Sequence, residues 1–184
     1  MERILDVAQF IFDEYKKQAG KTIDEMKLQK LLYFAQRESI AVTGEPLFEE
    51  QMEAWKYGPV SPEVRANLTE EGIYARTNEI SPEAAYILRN VIQEYGALAS
   101  WKLSEISHKE SSWLNARQGM APEEIGNRKL LLEDIIKDAE KLVRELMNVP
   151  DNYKVMFLQG GGSTQFAMVP MNLGVNKKAA DYII

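Results

Sequence analysis

The 184-residue sequence contains no cysteine and a single histidine, His108. Without cysteine the chain offers no disulfide and no thiolate that could serve as a nucleophile or metal ligand. One histidine excludes a two-histidine metal site, and any serine–histidine arrangement would have to use His108. We therefore expect a protein that is not an enzyme, with no catalytic residue, metal or cofactor, and interpret His108 as a capping or hydrogen-bonding side chain.

Long apolar runs and runs of positive charge are also missing. No eighteen consecutive apolar residues occur, so no transmembrane helix and no membrane contact are expected. The N-terminus lacks the basic end and apolar stretch of a secretory signal, which favours a cytoplasmic location. The net charge is −6, with 22 basic residues scattered among 28 acidic ones. Binding to a nucleic acid duplex needs a local surplus of Lys and Arg, so nucleic acid is a disfavoured partner.

Helical patterns dominate what is present. Apolar residues at three- and four-residue spacing, together with capping signals, predict the main helices. The predicted helices cover residues 4–19, 22–42, 62–68, 82–95, 97–106 and 127–147. Thr22 and Glu25 have the spacing of a capping box, while Ser61 and Ser81 each precede a proline at the first helical position. In the last helix we expect four leucine or isoleucine side chains to face inward: Leu131, Ile135, Leu142 and Leu146.

Strand patterns are few. Residues 50–57 alternate polar and bulky side chains, which predicts a half-buried strand followed by a turn at residues 58–62. Near the C-terminus a buried strand is predicted over 154–159, then a glycine loop, a short helix and a final strand at 180–184. The fold class is therefore a mainly α-helical domain with a small β-sheet (α+β), plus a C-terminal β-loop-α-β fragment. An exposed edge on the 154–159 strand would favour association, so a homodimer is one alternative.

Two aromatic stretches are candidate interaction sites. Trp55 and Tyr57 precede a Gly-Pro pair, and Trp113 lies in a second such stretch. Large aromatic side chains held by a rigid turn give extensive contact area at low entropic cost. The alternative is that these aromatics wedge the strand against the helices as part of the core.

Three blocks resemble one family. Residues 26–36, 53–64 and 107–113 are similar to the Panacea domain of SocA-like and phage-associated antitoxins, and the resemblance extends over about residues 1–145. It implies a cytoplasmic antitoxin that neutralises a cognate protein toxin by direct binding. Within the blocks we expect six residues to contact the partner: Lys27, Tyr33, Trp55, Tyr57, Pro59 and Trp113. Alternatives are an adaptor that delivers the toxin to a protease, a mobile-element interaction protein, and a transcriptional autoregulator, which the charge balance disfavours.

The C-terminal segment resembles a different family. Residues 144–173 are similar to a stretch near the N-terminus of phosphoserine aminotransferases, in which the glycine loop holds the phosphate of pyridoxal phosphate. The resemblance implies vestigial phosphate contacts at Gly162 and Ser163, and a phosphate-ligand module is a further alternative. The enzyme's Schiff-base lysine segment has no counterpart here, so transaminase activity is not expected. We predict an antitoxin domain over residues 1–147 and an aminotransferase-like tail over 148–184.

Overall fold

The computed structural model describes residues 1–74 and 78–157. Within them, the helices are α1 (Ile4–Ala19), α2 (Glu25–Thr43), α3 (Pro62–Asn67), α4 (Pro82–Tyr95), α5 (Ser100–Ser107), α6 (Ser111–Ala116) and α7 (Leu132–Met147). The strands are β1 (Glu53–Trp55), β2 (Gly58–Val60), β3 (Leu68–Thr69) and β4 (Gly72–Ile73), and β1–β2 and β3–β4 form two small antiparallel sheets. The mainly helical α+β class is confirmed. Most of the predicted C-terminal fragment lies outside the described residues.

Helix α2 is the centre of the molecule. It contacts α1, α4, α5, α7 and β2, so most of its circumference is buried. Leu28, Leu31 and Phe34 have no exposed surface, and they belong to one hydrophobic core to which α1, α4, α5 and α7 contribute. A helix that is surrounded on nearly every side has few surface positions. This arrangement decides which residues of the first family block remain available to a partner.

Helix starts follow local capping chemistry. Ser61 accepts a hydrogen bond from the Val64 amide at 3.2 Å and Ser81 one from the Ala84 amide at 3.3 Å, which confirms both predicted caps. The predicted Thr22 capping box is wrong. Asp24 caps α2 instead by accepting from the Lys27 amide at 2.9 Å, and its second carboxylate oxygen accepts from the Ser100 hydroxyl.

The β1–β2 hairpin turns earlier than predicted. Glu53 pairs with Val60 and Trp55 with Gly58, so the turn lies at residues 56–57 and the Gly-Pro-Val segment forms the second strand. Gly58 has a φ of +102°, and a Cβ there would lie 2.5 Å from both Lys30 Cε and Ser107 Oγ. Only glycine fits this backbone conformation and this close approach, so the strand packs directly on α2 and α5.

Helix α7 begins five residues later than predicted. Residues 127–131 instead run beside β1, where the Ala54 amide donates to the Arg128 carbonyl and the Leu130 amide to the Met52 carbonyl, each at 2.8 Å. The helix then packs on α2 and α6 through a face that includes Ile135, as expected.

The inward orientation predicted for Leu131 and Leu146 is wrong, since these side chains are 57% and 71% exposed. Leu142 is half-buried. The core-facing surface of α7 instead includes the polar residues Asp134 and Asp138, which a purely apolar pattern does not reveal.

The described part of the predicted 154–159 strand, residues 154–157, is not a strand. The Arg144 guanidinium donates to the carbonyls of Pro150 and Tyr153, which ties the chain after α7 back to that helix. Phe157 packs against the core. Among the described helices none is long and apolar enough to cross a membrane.

Candidate partner-binding groove

A largely apolar groove of about 370 Å³ lies between the turn of the β1–β2 hairpin and the N-terminal half of α2. We call it the hairpin groove. Its apolar walls are Met26, Trp55, Tyr57, Val60 and Ile125. Polar side chains, among them Lys30, Lys56 and Arg65, complete its lining. The hairpin packs on α2 because Gly58 permits close contact, and this packing places the two predicted aromatic residues at the groove.

The two aromatic side chains are held in place without any partner. Trp55 is half-buried, donates its indole N–H to Glu53 Oε2 at 2.8 Å, and lies 4.9 Å from the Arg65 guanidinium. Tyr57 is 56% exposed, and Lys56 Nζ lies 5.0 Å from its ring centroid. Aromatic side chains that are already ordered lose little conformational entropy when they are covered.

The rim of the groove carries two ion pairs. Arg65 pairs with Glu25 at 3.4 Å, and Lys56 pairs with Glu123 at 2.5 Å. Hydrogen bonding to Glu123 raises the pKa of Lys56, and the same contact lowers the pKa of the Glu123 carboxyl. Since exposed pairs contribute little to stability, these side chains are free to exchange partners.

Lys30 lies beneath the hairpin and is only 1% exposed. Its amine donates to the Pro59 carbonyl at 2.9 Å. Burial lowers the pKa of Lys30 to about 7, and the nearby negative charge of Glu25 opposes this shift only in part. A buried amine that titrates near neutrality, beside an apolar groove, is the least ordinary group of the site.

Lys30 is expected to make the free energy of unfolding rise with pH above about pH 7. The unfolded amine, with its ordinary pKa of 10.5, keeps its proton where the folded amine has lost it, so the unfolded state binds more protons. The slope from this group approaches about 1.4 kcal/mol per pH unit. Urea denaturation of wild type and Lys30→Met between about pH 7 and pH 9 tests this. The wild-type-minus-variant difference should grow with pH, and a constant difference would contradict the assignment.

Trp113 supports the hairpin from behind. Its indole N–H donates to the Trp55 carbonyl at 2.9 Å, and its ring stacks on His108 with centroids 4.0 Å apart. The His108 amide caps α5 by donating to Ser104, and its ring nitrogen lies 3.4 Å from Ser104 Oγ. Burial, and secondarily the charges of Lys30 and Arg117, lower the pKa of His108. The expected capping at His108 is thus made by its backbone amide, while the imidazole stacks on Trp113, which was not expected.

A buried polar cluster, here called the Asp138 network, fixes the elements behind the hairpin. Asp138 of α7 accepts from the Tyr33 hydroxyl at 3.0 Å, the Ser111 amide at 2.7 Å and the Ser112 amide at 2.9 Å, and also from the Ser111 hydroxyl. Tyr33 and Ser112 share a further bond of 2.8 Å. The network joins α2, α6 and α7, and α6 carries Trp113, so it sets the position of the hairpin.

Three predicted contact residues are buried or nearly so. Tyr33 is 0% exposed because it belongs to the Asp138 network, and Lys27 is buried, with its amine donating to the Gly96 carbonyl at 2.8 Å and the Tyr15 hydroxyl at 3.3 Å. Pro59 is buried in β2 above Lys30. In the free chain these three residues therefore have little surface for direct contact, because α2 is central and β2 lies against it, and their contact with a partner stays a prediction.

The remaining predicted residues divide into two groups. Trp55 and Tyr57 line the groove, and Trp113 supports it. Gly162 and Ser163 lie outside the described residues. Sequence reasoning missed three residues of the groove. For Lys30 the available signal was that α2 carries a second lysine within its buried stretch. Arg65 and Ile125 come from distant parts of the chain, and they meet only at the folded hairpin.

Comparisons with known proteins assign the two parts of the chain to different families. The model of the family described as Antitoxin SocA-like, Panacea domain matches residues 28–114, and that of aminotransferase class-V matches residues 96–184. The chain therefore contains a SocA-like Panacea domain and an aminotransferase class-V fragment, which confirms both resemblances. Trp55, Tyr57, Lys30 and Trp113 all lie in the first match. The two matches overlap over residues 96–114, so the boundary at residue 147 stays a prediction.

Curated relatives match only a short part of the chain. Phosphoserine aminotransferase from Listeria monocytogenes serovar 1/2a (strain ATCC BAA-679 / EGD-e) is 61% identical over 62 residues, or 34% of this chain and 17% of that enzyme. Phosphoserine aminotransferase from Streptococcus thermophilus (strain ATCC BAA-491 / LMD-9) is 61% identical over 61 residues, 33% of this chain and 17% of the enzyme. The chain thus spans about a sixth of the length of these relatives. No solved structure matches.

Proposed function

We propose that the protein is an antitoxin that neutralises a cognate protein toxin by direct contact through the hairpin groove. The observation that carries the proposal is the apolar groove walled by Trp55 and Tyr57, two residues that lie in the segment matching the antitoxin family. The partner segment would enter the groove, and the bound antitoxin would cover the toxin's active surface. We place this encounter in the cytoplasm.

The geometry supports binding of a protein segment in three ways. The walls are apolar, so filling the groove removes apolar surface from water. Trp and Tyr are enriched among the residues that dominate binding energy at protein interfaces, and here both are ordered before any partner arrives. The rim pairs Arg65–Glu25 and Lys56–Glu123 leave exposed charges that can select a partner by complementarity.

No catalytic role is proposed for the aminotransferase-like segment. The chain spans about a sixth of the enzymes it matches there. We therefore assign the function of the whole chain to its antitoxin-like part.

An adaptor that delivers the toxin to a protease is the second candidate. An adaptor needs a surface beyond the one that holds the toxin. The end of α7 offers such a surface, because Leu146 and Met147 are exposed there together with Tyr153 and Met156. The two candidates differ in the fate of the toxin, which a blocker leaves intact and an adaptor removes.

The test is co-expression of the full chain with the protein encoded by the neighbouring gene. The proposal predicts that this neighbour arrests growth when expressed alone, that growth returns with the full chain, and that the neighbour's lifetime in the cell is unchanged. Rescue accompanied by a shortened lifetime would support the adaptor. A neighbour that arrests growth and is not rescued would contradict the antitoxin proposal.

A further inference from the structure

Lys30 is a buried amine with an incomplete set of partners. Its single hydrogen-bond acceptor among the described residues is the Pro59 carbonyl, and no carboxylate oxygen of the described chain lies within 4.0 Å of Nζ. An ammonium group has three N–H donors, so at least one of them stays unpaired. Lys27, three residues earlier on the same helix, is also buried but reaches two acceptors and an aromatic ring.

The lysine with fewer hydrogen-bond acceptors is the one that lies at the groove. Lys30 belongs to the lining of the hairpin groove, whereas Lys27 does not. Unpaired buried charge is costly, and a protein that needed only a structural lysine would supply it with acceptors, as it does for Lys27. Lys30, which has only one acceptor within the described chain, thus lines a cavity in which an acceptor from a partner can sit.

The surroundings of Lys30 restrict the chemistry of that acceptor. The walls of the groove are apolar, and the rim carries the cations Lys56 and Arg65. Their present partners, Glu123 and Glu25, are exposed side chains at the edge of the groove. An incoming group therefore meets apolar surface, one buried amine and two exchangeable cations. That combination suits an anion joined to an apolar body.

From this geometry we propose that the hairpin groove is a receptor for a carboxylate carried on an apolar group, with the carboxylate paired to Lys30. The inference rests on the proposed function and deepens it. It specifies that the toxin presents an Asp or Glu next to an aromatic or aliphatic side chain. The apolar side chain covers Trp55 and Tyr57, and the carboxylate supplies the acceptor that Lys30 lacks.

Binding of such a carboxylate is coupled to protonation of Lys30. The charged groups that act on this amine are Glu25 on its own helix and His108 at the end of α5, with Lys56 and Arg65 at the rim. Since burial lowers the pKa of His108 below its ordinary value, this imidazole carries little charge above pH 7, and Lys30 dominates the change there. Since the amine loses its proton near pH 7, a carboxylate should bind more weakly as the pH rises.

The experiment uses two small probes that differ in one group, 3-phenylpropionate and the neutral 3-phenylpropanamide. Binding to the full chain is followed by NMR through the indole signal of Trp55 and the side-chain signals of Lys30. At pH 6 the carboxylate should bind at least about tenfold more tightly than the amide, and its affinity should fall at least about tenfold by pH 9. Equal affinities, or a carboxylate affinity that does not change with pH, would overturn the proposal, as would the absence of binding by either probe.

A pair of variants separates Lys30 from general charge effects. Lys30→Met should bring the carboxylate-to-amide ratio close to one, whereas Lys102→Met, which removes an exposed lysine outside the groove, should leave it unchanged. A ratio that persists in Lys30→Met would overturn the assignment. The pH series on wild type needs no variant and stands even if Lys30→Met folds poorly. The probe assay does not involve the toxin, so its failure is distinct from a failure of growth rescue.

Discussion

Replacing Trp55 or Tyr57 with alanine is expected to weaken toxin binding by at least about 30-fold. Each variant removes an ordered aromatic wall of the hairpin groove and leaves the partner's apolar segment in contact with water. Tyr57 is the cleaner position because its side chain is more than half exposed. The measurement is the dissociation constant for the purified toxin by titration calorimetry, with the melting temperature of each variant recorded alongside.

Matched controls exist for both substitutions. Trp101 on α5 and Tyr86 on α4 are 63% and 64% exposed, and neither lines the groove. Trp101→Ala and Tyr86→Ala should bind toxin as wild type does. Should all four variants lose affinity equally, or should Tyr57→Ala bind normally while remaining folded, the groove would not be the contact surface.

The second large effect concerns Asp138. Asp138→Ala should lower the free energy of unfolding by about 3 kcal/mol, because it leaves the buried Tyr33 hydroxyl with one acceptor fewer and strands two amides at the start of α6. Urea denaturation measures the loss. Asp13→Ala, which alters an exposed aspartate on α1, should change stability by less than about 0.5 kcal/mol.

The Asp138 substitution also tests how the groove is held. Because α6 carries Trp113, and Trp113 donates to the Trp55 carbonyl, loosening α6 should reduce affinity for the toxin even at temperatures where the variant is folded. If Asp138→Ala lowers the free energy of unfolding by less than about 1 kcal/mol, the four hydrogen bonds to Asp138 are not a major support of the fold.

Features that depend on adjacent residues could be predicted from the sequence. The range of α1 and the caps of α3 and α4 agree with the structure because helical periodicity, serine caps and N-terminal prolines act within one or two turns. The position of the hairpin turn depends instead on Gly58 meeting Lys30 and Ser107, which are distant in sequence. In the same way, residues 127–131 resemble a helix start but run beside β1, and only the folded chain provides that partner.

The parts of the candidate site that depend on neighbouring residues in the sequence were predictable, and the parts that depend on packing were not. Trp55 and Tyr57 combine a residue type common at interfaces with a rigid turn, and both features are local. Tyr33 shares the residue type, but the central position of α2 buries it, and that position follows from the packing of five neighbouring elements. The incomplete hydrogen bonding of Lys30 depends on the same packing, so no pattern along the chain distinguishes it from Lys27.

The central claim is that the toxin is held at the hairpin groove, and hydrogen–deuterium exchange of the full chain with and without toxin tests it most directly. We predict that toxin binding slows exchange at the amides of residues 53–60 and 25–30, with little change at the end of α7. Protection confined to the end of α7, or to residues after it, with none at the hairpin, would contradict the account.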